Sequence, residues 1–277
     1  MPVIAMNQEM GSQGKLVAEQ LAEELGLEVV RHEIIDHVAQ KMHVRKSALQ
    51  RYLEGKAGLL ERWGTDEANL ALFKSEEILA LAAKGNVIIR GWGATHVLRP
   101  IPHIPCVRIG APFAMRVKWL MTCLGTDDEE MVAEEIRHSD EAHRANMRHQ
   151  FGVAWGEPMQ YDITLNTERL SVATCVEQIK LLLKRPEFEE TPESQTRLAN
   201  LTLEYHVRAA LRASTKTADV KIAIRADSGK VTLEGISARA EERHDIAEIV
   251  GRLPGVKDVD NKLKVMKYTN MFPSSKT

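Results

Sequence analysis

Two glycines and a lysine, in "NQEMGSQGKLVAEQ" at residues 7–20, have the types and spacing to handle phosphate. Gly11 and Gly14 let backbone amides come close to an anion. Where such a turn opens a helix, the unpaired amides and the positive end of the helix dipole make an anion site. Lys15, on the first turn, can reach the β- or γ-phosphate of a nucleotide. The Walker A pattern has a further glycine five residues before its Gly-Lys pair and a Ser or Thr after the lysine. Here Glu9 and Leu16 hold those places. The spacing alone leaves two readings open, a phosphate site or an ordinary strand–turn–helix with a solvated lysine. On the first, Met10, Gly11, Ser12, Gln13, Gly14, Lys15 and Leu16 form the loop, and Ser12 stands in as a Mg²⁺ ligand for the missing Ser/Thr. Trp92, between Gly91 and Gly93, could stack on a base or cap the core edge.

The elements around these residues follow from apolar period. "VIAM" at 3–6 is a continuous apolar run, the mark of a strand buried on both faces. The spacing of Val17, Leu21 and Leu25 predicts a helix that Gly26 ends. A short strand follows at 27–30, helical spacing resumes at Ile34, Ile35, Val38 and Met42, and a long helix is predicted over 66–84. "NVIIRGWGA" and "IPCVRIGAP" each read as a strand closed by a turn, then a helix covers 113–123. "YDITLNT" is a last strand and 172–183 a last helix. This alternation indicates an α/β unit with a parallel sheet. Residues 126–152 are helical in propensity, but Val132, Ile136 and Met147 make a thin apolar stripe. Such a segment is an exposed helix or a loosely packed lid.

"KRPEFEETPESQT" at 184–196 is rich in Pro, Glu, Ser and Thr and reads as a linker. Beyond it, the spacing of Leu203, Val207 and Leu211 predicts a helix. Val220, Ile222 and Ile224 alternate as a strand, "ADSG" turns, and Val231 and Leu233 continue as a second strand. A second helix stripe runs through Ile246 and Val250, and Val259, Leu263 and Val265 close with a third strand. That is a small α+β domain.

A net charge of −2 gives no global pull toward nucleic acid or anionic membrane. Cys106, Cys123 and Cys175 are too far apart for a zinc pair and are expected as buried thiols. The N-terminus lacks a basic segment and a long apolar core, so no signal peptide is expected, and no stretch approaches a membrane span. The protein is read as cytoplasmic, with no nucleic-acid partner.

"MNQEMGSQGKLVAEQLAEELGLEVVRHEIIDHVA", "VIIRGWGATHVL", "VRIGAPFAMRV", "HSDEAHRANMRHQFG" and "YDITLNTERLSVATCVEQI", in that order, resemble the cytidylate kinase-like family. The resemblance covers about residues 1–183. It implies a three-layer P-loop NTPase-type fold, ATP and Mg²⁺ as cofactors, a nucleotide acceptor and a basic lid. The family's loop tends to be acidic at the place of Glu9. Under this resemblance Lys15, Arg144 and Arg148 are the catalytic candidates, and Arg31, Arg90, Trp92 and Arg116 the substrate-binding ones. Gln8, Arg31, Trp92, Glu141 and His143 depart from the family's pattern, and each lost arginine removes a planar donor fork. "VTLEGISARAEERHDIAEIVGRLPGVKDVDNKLKV" resembles the BON domain, a module associated with binding a small-molecule or protein ligand.

The expected organisation is a kinase-like domain at 1–184, a linker at 185–197, a BON domain at 198–267 and a tail at 268–277. The expected function is an ATP-dependent phosphotransferase resembling cytidylate or nucleoside monophosphate kinase, with the BON module for regulation or ligand binding. The alternative is a catalytically degenerate nucleotide-binding regulator.

Overall fold

The computed structural model describes residues 2–30, 33–56, 66–91 and 93–266. Arg31 and Trp92, both named as candidate site residues, lie outside the described residues. Contacts divide the chain into two units, residues 1–198 and 199–277.

In the first unit, β1 (Val3–Gln8), β2 (Glu28–Val30), β3 (Val87–Arg90), β4 (Cys106–Gly110) and β5 (Ile163–Asn166) form a parallel sheet. Its order is β2-β3-β1-β4-β5, with β1 central. The apolar runs are continuous because both faces are covered. Ile4 and Met6 face one side with Val107 and Ile109, against Val17 and Leu21 of α1 (Gly14–Leu25) and Val176 and Ile179 of α8 (Val172–Leu182). The alternate residues Val3, Ala5, Val87 and Ile89 are equally buried. On that side α4 (Glu67–Lys84) packs on β3 and α5 (Ala94–Leu98) on β1. This is the expected three-layer α/β architecture, with α2 (Glu33–Lys41) and α3 (Lys46–Leu53) between β2 and α4 in sequence.

Helices α6 (Phe113–Leu124) and α7 (Glu129–Phe151) pack on each other. Val117 of α6 buries Val132, Ala133 and Ile136 of α7, with Met10 and Phe113 beside them. The thin stripe read from the sequence is completed at Asp140 and Ala142, which are also buried. The segment is therefore packed, and the loosely held lid is not what the structure contains. Cys106 and Cys175 are buried as expected, but Cys123 is exposed, because it falls on the solvent side of α6.

The Pro/Glu/Ser/Thr stretch holds a 3-10 turn at Pro186–Phe188 and the first turns of α9 (Pro192–Ala213). Thr191 and Ser194 form a reciprocal cap: the Ser194 amide donates to Thr191 Oγ1 at 3.2 Å, and the Thr191 amide to Ser194 Oγ at 2.9 Å.

In the second unit β6 (Ala223–Asp227) pairs antiparallel with β7 (Lys230–Glu234), and β9 (Asp258–Asn261) pairs parallel with β7. Ser228 and Gly229, at φ 52° and 94°, make the tight hairpin turn that "ADSG" signals. The single third strand expected over Val259–Val265 is broken after Asn261. Leu263 turns inward, 3 % exposed, and Lys264–Val265 (β10) pairs instead with Ile236–Ser237 (β8) in a second ladder. Val207, Leu233 and Val250, the last from α10 (Ala240–Gly251), centre this unit's own core. No helix among the described residues is long and apolar enough to cross a membrane.

The cluster around Ile4 and Val107 draws on no residue beyond Leu183, and that around Val207 on none before Leu203. A chain ending at Leu198 is therefore expected to melt in one cooperative transition by calorimetry. A transition lost on removing the remainder would contradict independent cores.

Candidate functional site

The loop between β1 and α1 is shaped by contacts its own residues dictate. Gly11 is left-handed at φ 79°, and a Cβ there would stand 2.6 Å from the Arg116 carbonyl oxygen. A Cβ on Gly14 would stand 2.7 Å from that of Gln8. Both glycines are thus needed for close packing as well as for amide exposure. Gln13 takes φ 59° although it is not glycine, at the N-cap of α1, so strain is stored at the mouth of the helix.

Glu9, in the place of the first Walker glycine, turns out to be a strut. Its Oε1 accepts from Arg108 Nη2 at 2.6 Å, and its Oε2 accepts from the Ala111 amide at 3.1 Å. The same Oε2 lies 3.7 Å from Arg116 Nε. Arg108 also donates to Asn7 Oδ1 at 2.9 Å and lies over the Trp155 ring at 4.6 Å. Arg116 forks onto Asp140, at 3.0 Å to Oδ1 and 2.7 Å to Oδ2, and donates to the Met10 carbonyl at 3.3 Å. Two buried arginines and two carboxylates therefore join β1, β4, the loop, α6 and α7 in one balanced network.

Next to the loop is a cavity of about 370 Å³. The loop lines it with Met10, Gly11, Gln13, Gly14 and Lys15. Opposite stand Arg90 at the end of β3, Lys74 of α4, and one face of α7 that includes His143 and Asn146. Arg90 is held by Gln8, whose Oε1 accepts from Nε at 3.2 Å and Nη2 at 2.9 Å. Gln8 thus positions an arginine from the neighbouring strand. Lys74 is 3 % exposed, donates to Gln150 Oε1 at 2.6 Å and sits 5.3 Å from the centre of the Phe151 ring. Burial pushes its amine down to about 7. His143 donates from Nδ1 to the Ser139 carbonyl at 2.7 Å and stacks on Trp155.

Of the residues named from sequence, the structure brings Met10, Gly11, Gln13, Gly14, Lys15 and Arg90 together. It does not bring Arg144 or Arg148, which are exposed, while the cavity face of α7 is the one through Ser139, His143 and Asn146. Arg116 is engaged by Asp140 and Glu9 and does not line the cavity. Leu16 points to solvent at 41 % exposure. Ser12 is 1 % exposed and donates its hydroxyl to the Glu9 carbonyl at 2.7 Å, with the Ile109 carbonyl at 3.2 Å. Its oxygen braces the loop from beneath, so the assignment of Ser12 to Mg²⁺ is corrected. Glu9 is occupied by its arginines, and no cluster of three His, Cys, Asp or Glu among the described residues could hold a metal. The residues present do not fit a side-chain Mg²⁺ site.

Lys74 escaped the sequence reading although a signal existed. It stands four residues after Leu70 and four before Ile78, on the stripe that is otherwise apolar. Arg108 and Asp140 gave none, since their roles depend on partners distant in sequence.

Of the contacts that tie α7 to its neighbours, two ion pairs differ sharply in magnitude. Lys56 meets Glu135 at 2.7 Å with both side chains some 40 % exposed or more, a pair worth ~0–1 kcal/mol. The Arg116–Asp140 fork is buried at 6 % and 7 %, and breaking such a pair costs ~3–5 kcal/mol. The second holds α7 in place, and the first can open at little cost.

Residues 3–169 match the model of the cytidylate kinase-like family and residues 201–267 that of the BON domain. The first match spans more than half the chain: the protein belongs to the cytidylate kinase-like family and carries a BON domain behind that unit. Among solved structures, an uncharacterized protein from Eubacterium ventriosum aligns at TM-score 0.52 and 21% identity, covering 67% of this chain and 100% of that one. Shikimate kinase from Bacteroides thetaiotaomicron aligns at TM-score 0.41 and 15% identity, covering 66% and 99%. YorR protein from Bacillus subtilis, in complex with phosphorylated GDP, aligns at 0.40 and 14%, covering 68% and 99%. No curated protein matches.

Asp140→Ala leaves Arg116 buried without its fork, and urea denaturation should show a loss of ~3–5 kcal/mol. Glu9→Gly, which restores the Walker glycine, is expected to destabilise as well. A Glu9→Gly protein as stable as the parent would contradict the strut.

Proposed function

We propose that the protein is an ATP-dependent phosphotransferase of the nucleotide-kinase type, with the BON domain as a regulatory or ligand-binding module. The observation that carries this is the loop at residues 10–15 opening, with Lys15, into a cavity that also receives Arg90 and Lys74. The first amides of α1 have no helical carbonyl to bond and attract the donor phosphates. Lys15, 65 % exposed and 3.5 Å from Glu19, is free of burial and able to swing onto the terminal phosphates. Arg90, fixed by Gln8, offers a planar donor to the transferring or accepting group. Phosphoryl transfer is mostly positioning and charge stabilisation, so cations converging on one cavity are what the reaction needs.

One observation favours a second reading, a nucleotide-binding regulator without turnover. Arg144 and Arg148 of α7 stay off the cavity and Arg116 of α6 is bound to Asp140, so neither helix lines the cavity with an arginine. An arginine on a transferring phosphoryl is worth about three to five orders of magnitude in rate.

Calorimetry with ATP and a coupled assay over the nucleoside monophosphates separate the readings. ATP is expected to bind, and Lys15→Ala to weaken it by ~1.5–3 kcal/mol, the loss of a charge-assisted bond. Turnover with an acceptor supports the enzyme, and binding without turnover the regulator. Affinity unchanged in Lys15→Ala contradicts both.

A further inference from the structure

Trp119 of α6 is half-buried and lines the cavity that the loop opens into. Among the described residues it is the one Phe, Tyr or Trp in that wall. It is not a core residue. The core that α6 shares with α7 takes Val117, with Phe113, Leu120 and Met121 packed against it, and leaves Trp119 out. Trp119 follows Arg116 by three positions, so it shares that side of the helix, about 4.5 Å further along the axis. Arg116 is where α6 touches the loop, since a Cβ on Gly11 would stand 2.6 Å from its carbonyl oxygen. The indole is thus carried about one turn beyond that contact.

A large ring at a cavity wall gains from anything that covers it. Trp155 is already engaged, by the His143 ring and by the Arg108 guanidinium. Trp119 has no ring, cation or hydrogen-bond contact among the described residues.

We propose that Trp119 is the platform on which the base of the bound nucleotide stacks, and that the base is read by its flat face rather than by its edge. This rests on the phosphotransferase reading and gives its nucleotide site a specificity. The turns of α6 on either side offer a base edge little to bond. Met115 and Cys123, four positions before and after Trp119, carry sulfur, a weak hydrogen-bonding atom. Thr122, three positions on, spends its hydroxyl hydrogen on the Lys118 carbonyl at 3.0 Å. Lys118, one position back, is exposed and turned about 100° away. Every base has a π-face, so such a platform is tolerant of base identity. A purine covers more of the ring than a pyrimidine and buries more apolar area. ATP and GTP therefore bind alike, and CTP and UTP more weakly.

The test is calorimetry on the full chain with ATP, GTP, CTP, UTP and inorganic tripolyphosphate, in the parent, Trp119→Leu and Trp119→Phe. The parent is expected to bind ATP and GTP with similar affinity, and both more tightly than CTP, UTP or tripolyphosphate. Trp119→Leu keeps apolar bulk and removes the aromatic face. It should lose about 5- to 150-fold in ATP affinity, the worth of one base on an aromatic ring, with tripolyphosphate affinity unchanged. Trp119→Phe should restore most of the loss. Equal losses for ATP and tripolyphosphate in Trp119→Leu mark a merely structural tryptophan and overturn the platform, as does unchanged ATP affinity. ATP held far more tightly than GTP overturns reading by the flat face. Tripolyphosphate held by the parent as tightly as ATP overturns the platform while leaving the loop a phosphate site. Failure of both to bind the parent sinks the phosphotransferase reading, and the platform with it.

Discussion

The site depends on a half-buried carboxylate, that of Glu9, holding two arginines at once. Each of Arg108 and Arg116 would be expensive to bury alone, and Glu9 and Asp140 make their burial tolerable by charge balance and hydrogen bonding. Because the four groups come from the start of the loop after β1, from β4, α6 and α7, balancing the charge also fixes where those elements lie. The loop inherits its path from this arrangement: Met10 lends its carbonyl to Arg116, and Gly11 passes the Arg116 backbone at a distance only glycine allows. A glycine in place of Glu9 gives a usual phosphate loop freedom at its start. Here a charge supplies fixity.

That choice divides the positive groups into two populations. Arg108 and Arg116 are spent inside the protein, whereas Lys15, Lys56, Arg90 and Lys74 line the cavity, Lys56 paired there with Glu135. The other three differ in kind. Lys15 is solvated and movable, Arg90 is planar and clamped by Gln8, and Lys74 is buried against the Phe151 ring.

The sheet and its helices were legible because apolar period reports directly on burial: continuous runs for two-sided strands, spacing of three and four for helix faces. The loop was legible from glycine placement, and five of its residues line the cavity together with Arg90, which was also named from the sequence. Failures came wherever a polar residue occupies a core position. Asp140 fills a gap in the α7 stripe, so a packed helix looked loose. Lys74 sits on the α4 stripe, where apolar spacing alone gave no reason to single it out. Arg144 and Arg148 looked suitable by type, yet a difference of one position on a helix rotates a side chain by about 100°, enough to take both off the cavity. Ser12 had the right chemistry but faces the wrong side of the loop, and only backbone geometry shows that.

The central claim is that the turn at residues 10–15 is where nucleotide phosphates bind. Hydrogen–deuterium exchange of the amides at 11–16, with and without ATP, tests it most directly, because those amides are the proposed ligands. The account predicts slowed exchange concentrated there and at the Arg90 turn. Exchange unchanged at 11–16 while ATP is bound would contradict it.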